Sequence, residues 1–148
     1  MSTPPAPASA SRTRWGARGA VAAGGVLGAL ARYALTSALP TPARGWPVGT
    51  TVVNLLGCFA LGLLLEALAR RGPDTGRRHL VRLGAGTGLL GSFTTCSTLA
   101  VETDLLAREG ATALAVAYPL VSVVTGVALC GLGVVLAARL VPRPGEGA

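Results

Sequence analysis

At 148 residues the chain has room for one domain, and with 51% apolar and 13% charged residues it is too apolar for a soluble domain with an ordinary charged surface. The net charge of +7 rests on 13 arginines and no lysine, and these sit in short segments between long apolar runs. That placement fits a membrane protein obeying the positive-inside rule, and there is no basic stripe with interleaved aromatics to bind nucleic acid.

In chain order, Met1–Ser11 is rich in Pro, Ala and Ser and reads as disordered. With Arg12, Arg14 and Arg18 it forms a disordered basic segment, residues 1–18, ahead of a transmembrane domain at 19–140 and a polar tail at 141–148. A signal peptide has a similar layout, but Arg32 interrupts its would-be core, which favours a retained helix. The apolar runs predict four spans: Gly19–Leu39, Val48–Ala69, Leu80–Arg108 and Thr112–Leu140. Pro40 and Pro42 end the first, Arg70 and Arg71 the second, and Pro119 lies inside the fourth. The spans carry small residues, Gly24, Gly25 and Gly28 on the first, Gly57 and Gly62 on the second, and Gly126, Gly131 and Gly133 on the fourth, which let backbones approach closely in lipid. Four short helices can hardly enclose a pore alone, so an oligomer is expected.

The third span contains GLLGSFTTCSTLAVE (Gly88–Glu102). Ser92, Thr94, Thr95, Ser97 and Thr98 place five hydroxyls within seven residues, beside Gly88 and Gly91. Glycine loosens a helix and hydroxyls bond freed backbone groups, so one reading is a broken transmembrane helix that handles an ion. The other is an ordinary helix whose Ser and Thr pack on a neighbour. Arg32 is either an intramembrane charge with a purpose or a side chain snorkelling to the interface beside Tyr33. Asn54, with Thr50 one turn before it, can donate to an anion or bond another helix. Glu102 and Asp104 read as solvated acids near an interface, with a proton relay as the alternative. Tyr118 and Ser122 share a face of the fourth span, as packing contacts or as rungs of a polar track. His79 reads as solvated. Cys58, Cys96 and Cys130 lie in separate apolar runs without a CxxC pair, against a disulfide framework or zinc site. No catalytic triad, metal cluster or phosphate loop occurs, so an enzyme is not expected.

Together, GGVLGALARY (Gly24–Tyr33), GTTVVNLLGCFALG (Gly49–Gly62) and GLLGSFTTCSTLAVE resemble the three signature blocks of the CrcB/Fluc fluoride channels, and the fourth span follows in place. The resemblance implies an all-α membrane protein with a broken third helix, paired as an antiparallel dimer with two narrow fluoride pores. It implies a structural Na⁺ at the dimer centre, held by the backbone carbonyls of Gly91 and Thr94. Asn54, Thr50 and Ser122 match pore residues, with Thr95, Ser97, Thr98 and Tyr118 beside them. Arg32 matches the family's basic residue near the end of the first helix and Glu102 its acid after the break. The family pattern TTFSTF reads TTCSTL here, so Cys96 and Leu99 replace two pore phenylalanines, with Phe93 nearby at a different place.

The expected function is passive fluoride export across a bacterial plasma membrane. A non-conducting subunit of a heterodimeric channel is the alternative. A small multidrug exporter ranks below both, because the first span lacks the carboxylate it needs. Arg12, Arg14, Arg18, Arg70, Arg71, Arg77, Arg78, Arg82, Arg139 and Arg143 fall on one face and only Arg44 and Arg108 on the other. This bias of ten to two predicts cytoplasmic termini and a homologous partner of opposite orientation.

Overall fold

The structure, a computed structural model, describes residues 8–39 and 45–143. Expectations about residues 1–7, 40–44 and 144–148 lie outside the described residues. Every element among the described residues is helical: α1 (Ala8–Ala38), α2 (Val48–Arg70), α3 (Gly76–Val81), a π-helical segment (Arg82–Leu90), α4 (Gly91–Phe93), α5 (Cys96–Arg108) and α6 (Thr112–Leu140).

Among the described residues three helical stretches are long and apolar enough to cross a membrane, Trp15–Ala38, Val48–Arg70 and Thr112–Leu140. The fourth expected span, Leu80–Arg108, is instead a run of shorter pieces from Gly76 to Arg108. Its glycine-rich stretch RLGAGTGLL winds as a π-helix, and Gly84 and Gly88, having no Cβ, leave room for the α1 backbone at Ala20 and Val21. α1 starts at Ala8, upstream of Gly19. Residues 8–18 contain no proline, and their Ala and Arg continue a helix readily. Beyond α2 the chain reverses at Gly72, whose φ of 114° only glycine adopts without strain.

Glycines set the helix packing. A Cβ at Gly24 would strike the Gly84 carbonyl and one at Gly28 the Leu89 carbonyl, so α1 lies directly on the π segment. Likewise a Cβ at Gly62 would strike the Cys130 carbonyl and one at Gly133 the Phe59 carbonyl, locking α2 to α6. Gly131 has open space among the described residues where its side chain would be. Gly126 faces Cys58 while Gly62 faces Cys130, so α2 and α6 run in the same direction. Their C-terminal ends, bearing Arg70 and Arg139, share one end of the bundle.

The buried side-chain core is small: Leu106, Ala115 and Tyr118, with Trp46, Leu99, Ala111 and Leu114 against it. Val26, Leu27, Leu30, Val123, Val124 and Val127 stay exposed. A water-soluble fold would bury such residues, whereas lipid solvates them at no cost. Trp15 and Tyr33, both exposed, sit near the two ends of the apolar part of α1. Eighteen helical steps separate them by about 27 Å, close to the hydrocarbon thickness of a bilayer, and aromatic rings favour its two interfaces.

Candidate functional site

The helical run from Gly76 stops at Thr94, which is extended (φ −77°, ψ 160°). Thr95 is extended as well (φ −151°, ψ 119°) and begins α5. Asn54 on α2 holds this break open. Its Nδ2 donates to the Thr95 carbonyl at 2.9 Å and its Oδ1 accepts from the Thr95 N–H at 2.8 Å. In an unbroken helix that N–H would bond the Gly91 carbonyl. The amide therefore replaces a helical bond and leaves the Gly91 oxygen without its usual partner. Of the two readings of Asn54, the interhelical hydrogen bond is the one seen in this chain. One N–H of its Nδ2 is not used by Thr95.

Thr95 also caps α5. Its hydroxyl accepts from the Thr98 N–H at 3.1 Å, donates to Thr98 Oγ1 at 3.0 Å and lies 3.2 Å from Ser97 Oγ. A threonine N-cap of this kind is the local reason helix resumes here. Thr94 turns away, its Oγ1 donating to the Leu90 carbonyl at 3.0 Å. Carbonyls of a helix C-terminus and amides of a helix N-terminus thus meet at the break, attracting opposite charges to neighbouring points.

Arg32 points into this region rather than only outward. Its Nη1 donates to the Thr94 carbonyl at 3.4 Å, a long bond from a half-buried side chain. Among the described residues no group of three or more His, Cys, Asp or Glu could hold a metal ion. A cation here would rely on backbone oxygens. Gly91 O, freed by the Asn54–Thr95 pair, and Thr94 O, engaged only through that long bond, suit a hard cation by donor chemistry.

A second polar cluster joins three helices one turn further along. Thr50 Oγ1 donates to Glu102 Oε1 at 2.8 Å, and the Tyr118 hydroxyl donates to Glu102 Oε2 at 2.6 Å. Glu102 is therefore not simply a solvated acid. It is half-buried, and each of its oxygens has a hydroxyl donor. Asp104 does behave as the sequence implied, exposed and paired with Arg108 at 2.7 Å. Trp46 completes the cluster, edge-on to Tyr118 with ring centroids 5.5 Å apart, its Nε1 donating to Thr51 Oγ1 at 2.8 Å. Sequence reasoning gave Trp46 and Thr51 no role. The one signal was an aromatic residue directly before the Pro47 start of α2.

Ser122 follows Tyr118 by one turn of α6. It is 5% exposed, and its hydroxyl is the one buried side-chain polar atom among the described residues without a hydrogen-bond partner. It lines a groove of about 410 Å³ with Asn54, Gly91, Thr94, Cys96 and Leu99. The structure thus gathers Asn54, Thr94, Thr95 and Ser122 around the break, with Ser97 and Thr98 exposed beside it. Thr50, Glu102 and Tyr118 form the adjoining cluster. Phe93 packs near Gly57, which lines the same groove as Cys96 and Leu99.

Comparison with known proteins gives a consistent result. Residues 19–134 match the family described as CrcB-like protein, Camphor Resistance (CrcB). The chain is 46% identical over 125 residues to "Fluoride-specific ion channel FluC 2" of Leifsonia xyli subsp. xyli, covering 84% of this chain and 86% of that one. It is 47% identical over 123 residues to "Fluoride-specific ion channel FluC 1" of Cutibacterium acnes, covering 83% and 85%. It is 44% identical over 121 residues to "Fluoride-specific ion channel FluC" of Phenylobacterium zucineum, covering 81% and 94%. With helices long and apolar enough to cross a membrane and this extent of similarity, the chain belongs to the CrcB family.

Proposed function

We propose that this chain is a subunit of a fluoride channel, giving passive export across a bacterial plasma membrane, and not an enzyme. The observation that carries the reading is the Asn54–Thr95 pair. It sustains irregular backbone on an apolar bundle, which membrane proteins keep where an ion or water path is lined. Fluoride is the ion for which the similar proteins are named. Fluoride is small and strongly hydrated, so a path must replace its water with donors. The spare Asn54 N–H, the hydroxyls of Thr50, Thr95, Ser97, Thr98 and Ser122, and Tyr118 are the donors proposed to do so. In this reading Gly76–Arg108 is the fourth spanning segment, a transmembrane helix broken at Thr94–Thr95.

A structural Na⁺ fits the Gly91 and Thr94 carbonyls and would supply positive charge to one oxygen freed from its helical bond and one held only by the long Arg32 contact. Arg32 and Glu102 hold the two sides of the break, one through Thr94 and the other through Thr50 and Tyr118. Cys96 and Leu99 offer no aromatic edge to an anion, so the aromatic lining falls to a partner. The arginine bias gives this chain one orientation, with both termini cytoplasmic. The partner of opposite orientation is then a homologous chain rather than a second copy.

Fluoride efflux from liposomes tests the reading. The chain reconstituted with a homologous partner is expected to release fluoride, and Asn54→Asp, which places negative charge on the path, to abolish release. Wild-type efflux from properly assembled Asn54→Asp channels would refute the site. Efflux from the chain alone, with termini on both faces, would refute the heterodimer. Replacing Na⁺ by a large organic cation should lower dimer stability and flux together, and no change would remove the cation site.

A further inference from the structure

We propose that the surface between the N-terminal half of α1 and the π segment is a binding site for one anionic phospholipid, its phosphate on Arg18. This rests on the membrane reading above. A shallow groove of about 400 Å³ there is lined by Ala17, Arg18, Val21, Ala22 and Leu83. Its floor is wholly apolar, and Arg18 is its one charged residue, a geometry that accepts an acyl chain below and an anion above.

Three further observations select a lipid. First, the Arg18 guanidinium lies 5.0 Å over the Trp15 ring. This cation–π contact holds the charge at the depth where tryptophan prefers to sit, among headgroups. Second, the charge around the groove is unbalanced. Among the described residues, the carboxylates at this end are already engaged: Glu66 pairs with Arg70, and Asp74 with Arg82 and His79. Arg18 has no such pairing and is exposed, as is Arg77 on the adjoining α3. Third, the opposite end of the bundle lacks this excess, since Arg108 there is paired with Asp104 and Glu109 lies beside it. Positive charge at the surface of one leaflet attracts anionic lipid, and one well-placed arginine accounts for about a fivefold preference. A soluble phosphate would gain the charge but not the apolar floor, so the structure favours the lipid over the free anion.

The test uses the full chain carrying Trp46→Phe, so that Trp15 is the only reporter, in bilayers containing brominated phosphatidylglycerol or brominated phosphatidylcholine at equal mole fraction. Quenching of Trp15 should be about fivefold stronger by phosphatidylglycerol. Arg18→Gln should abolish the preference, Arg108→Gln should retain it, and millimolar inorganic phosphate should leave it unchanged. Equal quenching by both lipids, a preference surviving in Arg18→Gln, or displacement by inorganic phosphate would overturn the site while leaving the membrane reading intact. Absence of quenching by either lipid would overturn both. Should Trp46→Phe disturb folding, native mass spectrometry of the unaltered chain and its Arg18→Gln variant from mixed micelles reads the same preference. Retention of both lipids alike by the two proteins would count against the site.

Discussion

Tyr118 and Ser122 lie one turn apart on α6, both buried, and the chain treats them in opposite ways. The Tyr118 hydroxyl reaches Glu102, Glu102 reaches Thr50, and Trp46 closes over the ring. Ser122 has no partner among the described residues and faces the groove beside Asn54 and the break. A buried hydroxyl without a partner is costly, so the contrast separates a region this chain completes alone from one it leaves for another group. The completed region fixes where α2, α5 and α6 meet. The incomplete one is where an ion or a partner chain has something to gain by binding.

The strongest way to break that contrast is to remove the amide joining the two regions. Asn54→Leu would leave the Thr95 N–H and carbonyl both unpaired, at about 1–3 kcal/mol for each. Denaturation of the assembled protein in detergent should show this as the largest loss in the series. Wild-type stability would mean the break is held by something other than Asn54.

Next comes the completed cluster. Tyr118→Phe keeps the ring but takes one donor from Glu102, and Thr50→Val takes the other. Each should cost about 1–3 kcal/mol. The two hydroxyls serve one carboxylate, so the double variant should depart from additivity by about 0.5–3 kcal/mol. Strict additivity would show that the cluster is not a unit.

Ser122→Ala sharpens the comparison from the other side. Deleting a hydroxyl with no partner should leave the stability of the single chain within about 0.5 kcal/mol of wild type, or raise it slightly. Fluoride efflux should nonetheless fall if that hydroxyl meets the ion. A stability loss as large as that of Tyr118→Phe would place a hidden partner on Ser122 and erase the contrast.

The smallest effect lies outside the membrane. Hydrogen bonding from His79, and then the bond and charge of Arg82, hold the Asp74 carboxyl below its ordinary value. The folded pKa is depressed, so the contribution is present above the unfolded carboxylate pKa. It fades as pH falls through the folded value. Asp74 is exposed, so Asp74→Asn should change stability only marginally at neutral pH, and the difference should vanish under acid conditions. An effect growing towards acid pH would reverse the assignment.

The candidate site was partly legible in the sequence. The hydroxyl cluster and its glycines marked Gly88–Glu102 as either a break or an ordinary helix packed on a neighbour, because small and hydroxyl-bearing residues serve both, and the structure has extended backbone there at Thr94 and Thr95. Asn54 stood out because an amide in an apolar run needs partners wherever it ends up. Glu102 was misjudged as solvated because its donors come from elements 52 and 16 residues away, and no local pattern reports such a distance. The fragmentation of the third run was harder still to read. Its π-helical turn over Arg82–Leu90 lies against Gly24 and Gly28 of α1, more than 50 residues earlier in the chain.

By itself the sequence determined that this is an apolar helical membrane chain with glycine-rich helices, arginines gathered between its apolar runs and a glycine- and hydroxyl-rich stretch around Thr94. Those properties follow from runs, periods and counts, which are local or global sums over residues. Tertiary structure alone decided that Asn54 replaces a helical hydrogen bond of Thr95 across 41 residues, that Glu102 is shared between Thr50 and Tyr118, and that Ser122 has no partner among the described residues. Hydrogen bonds are short and directional, so which groups meet is settled by how closely glycine lets the helices approach and at what register they pack.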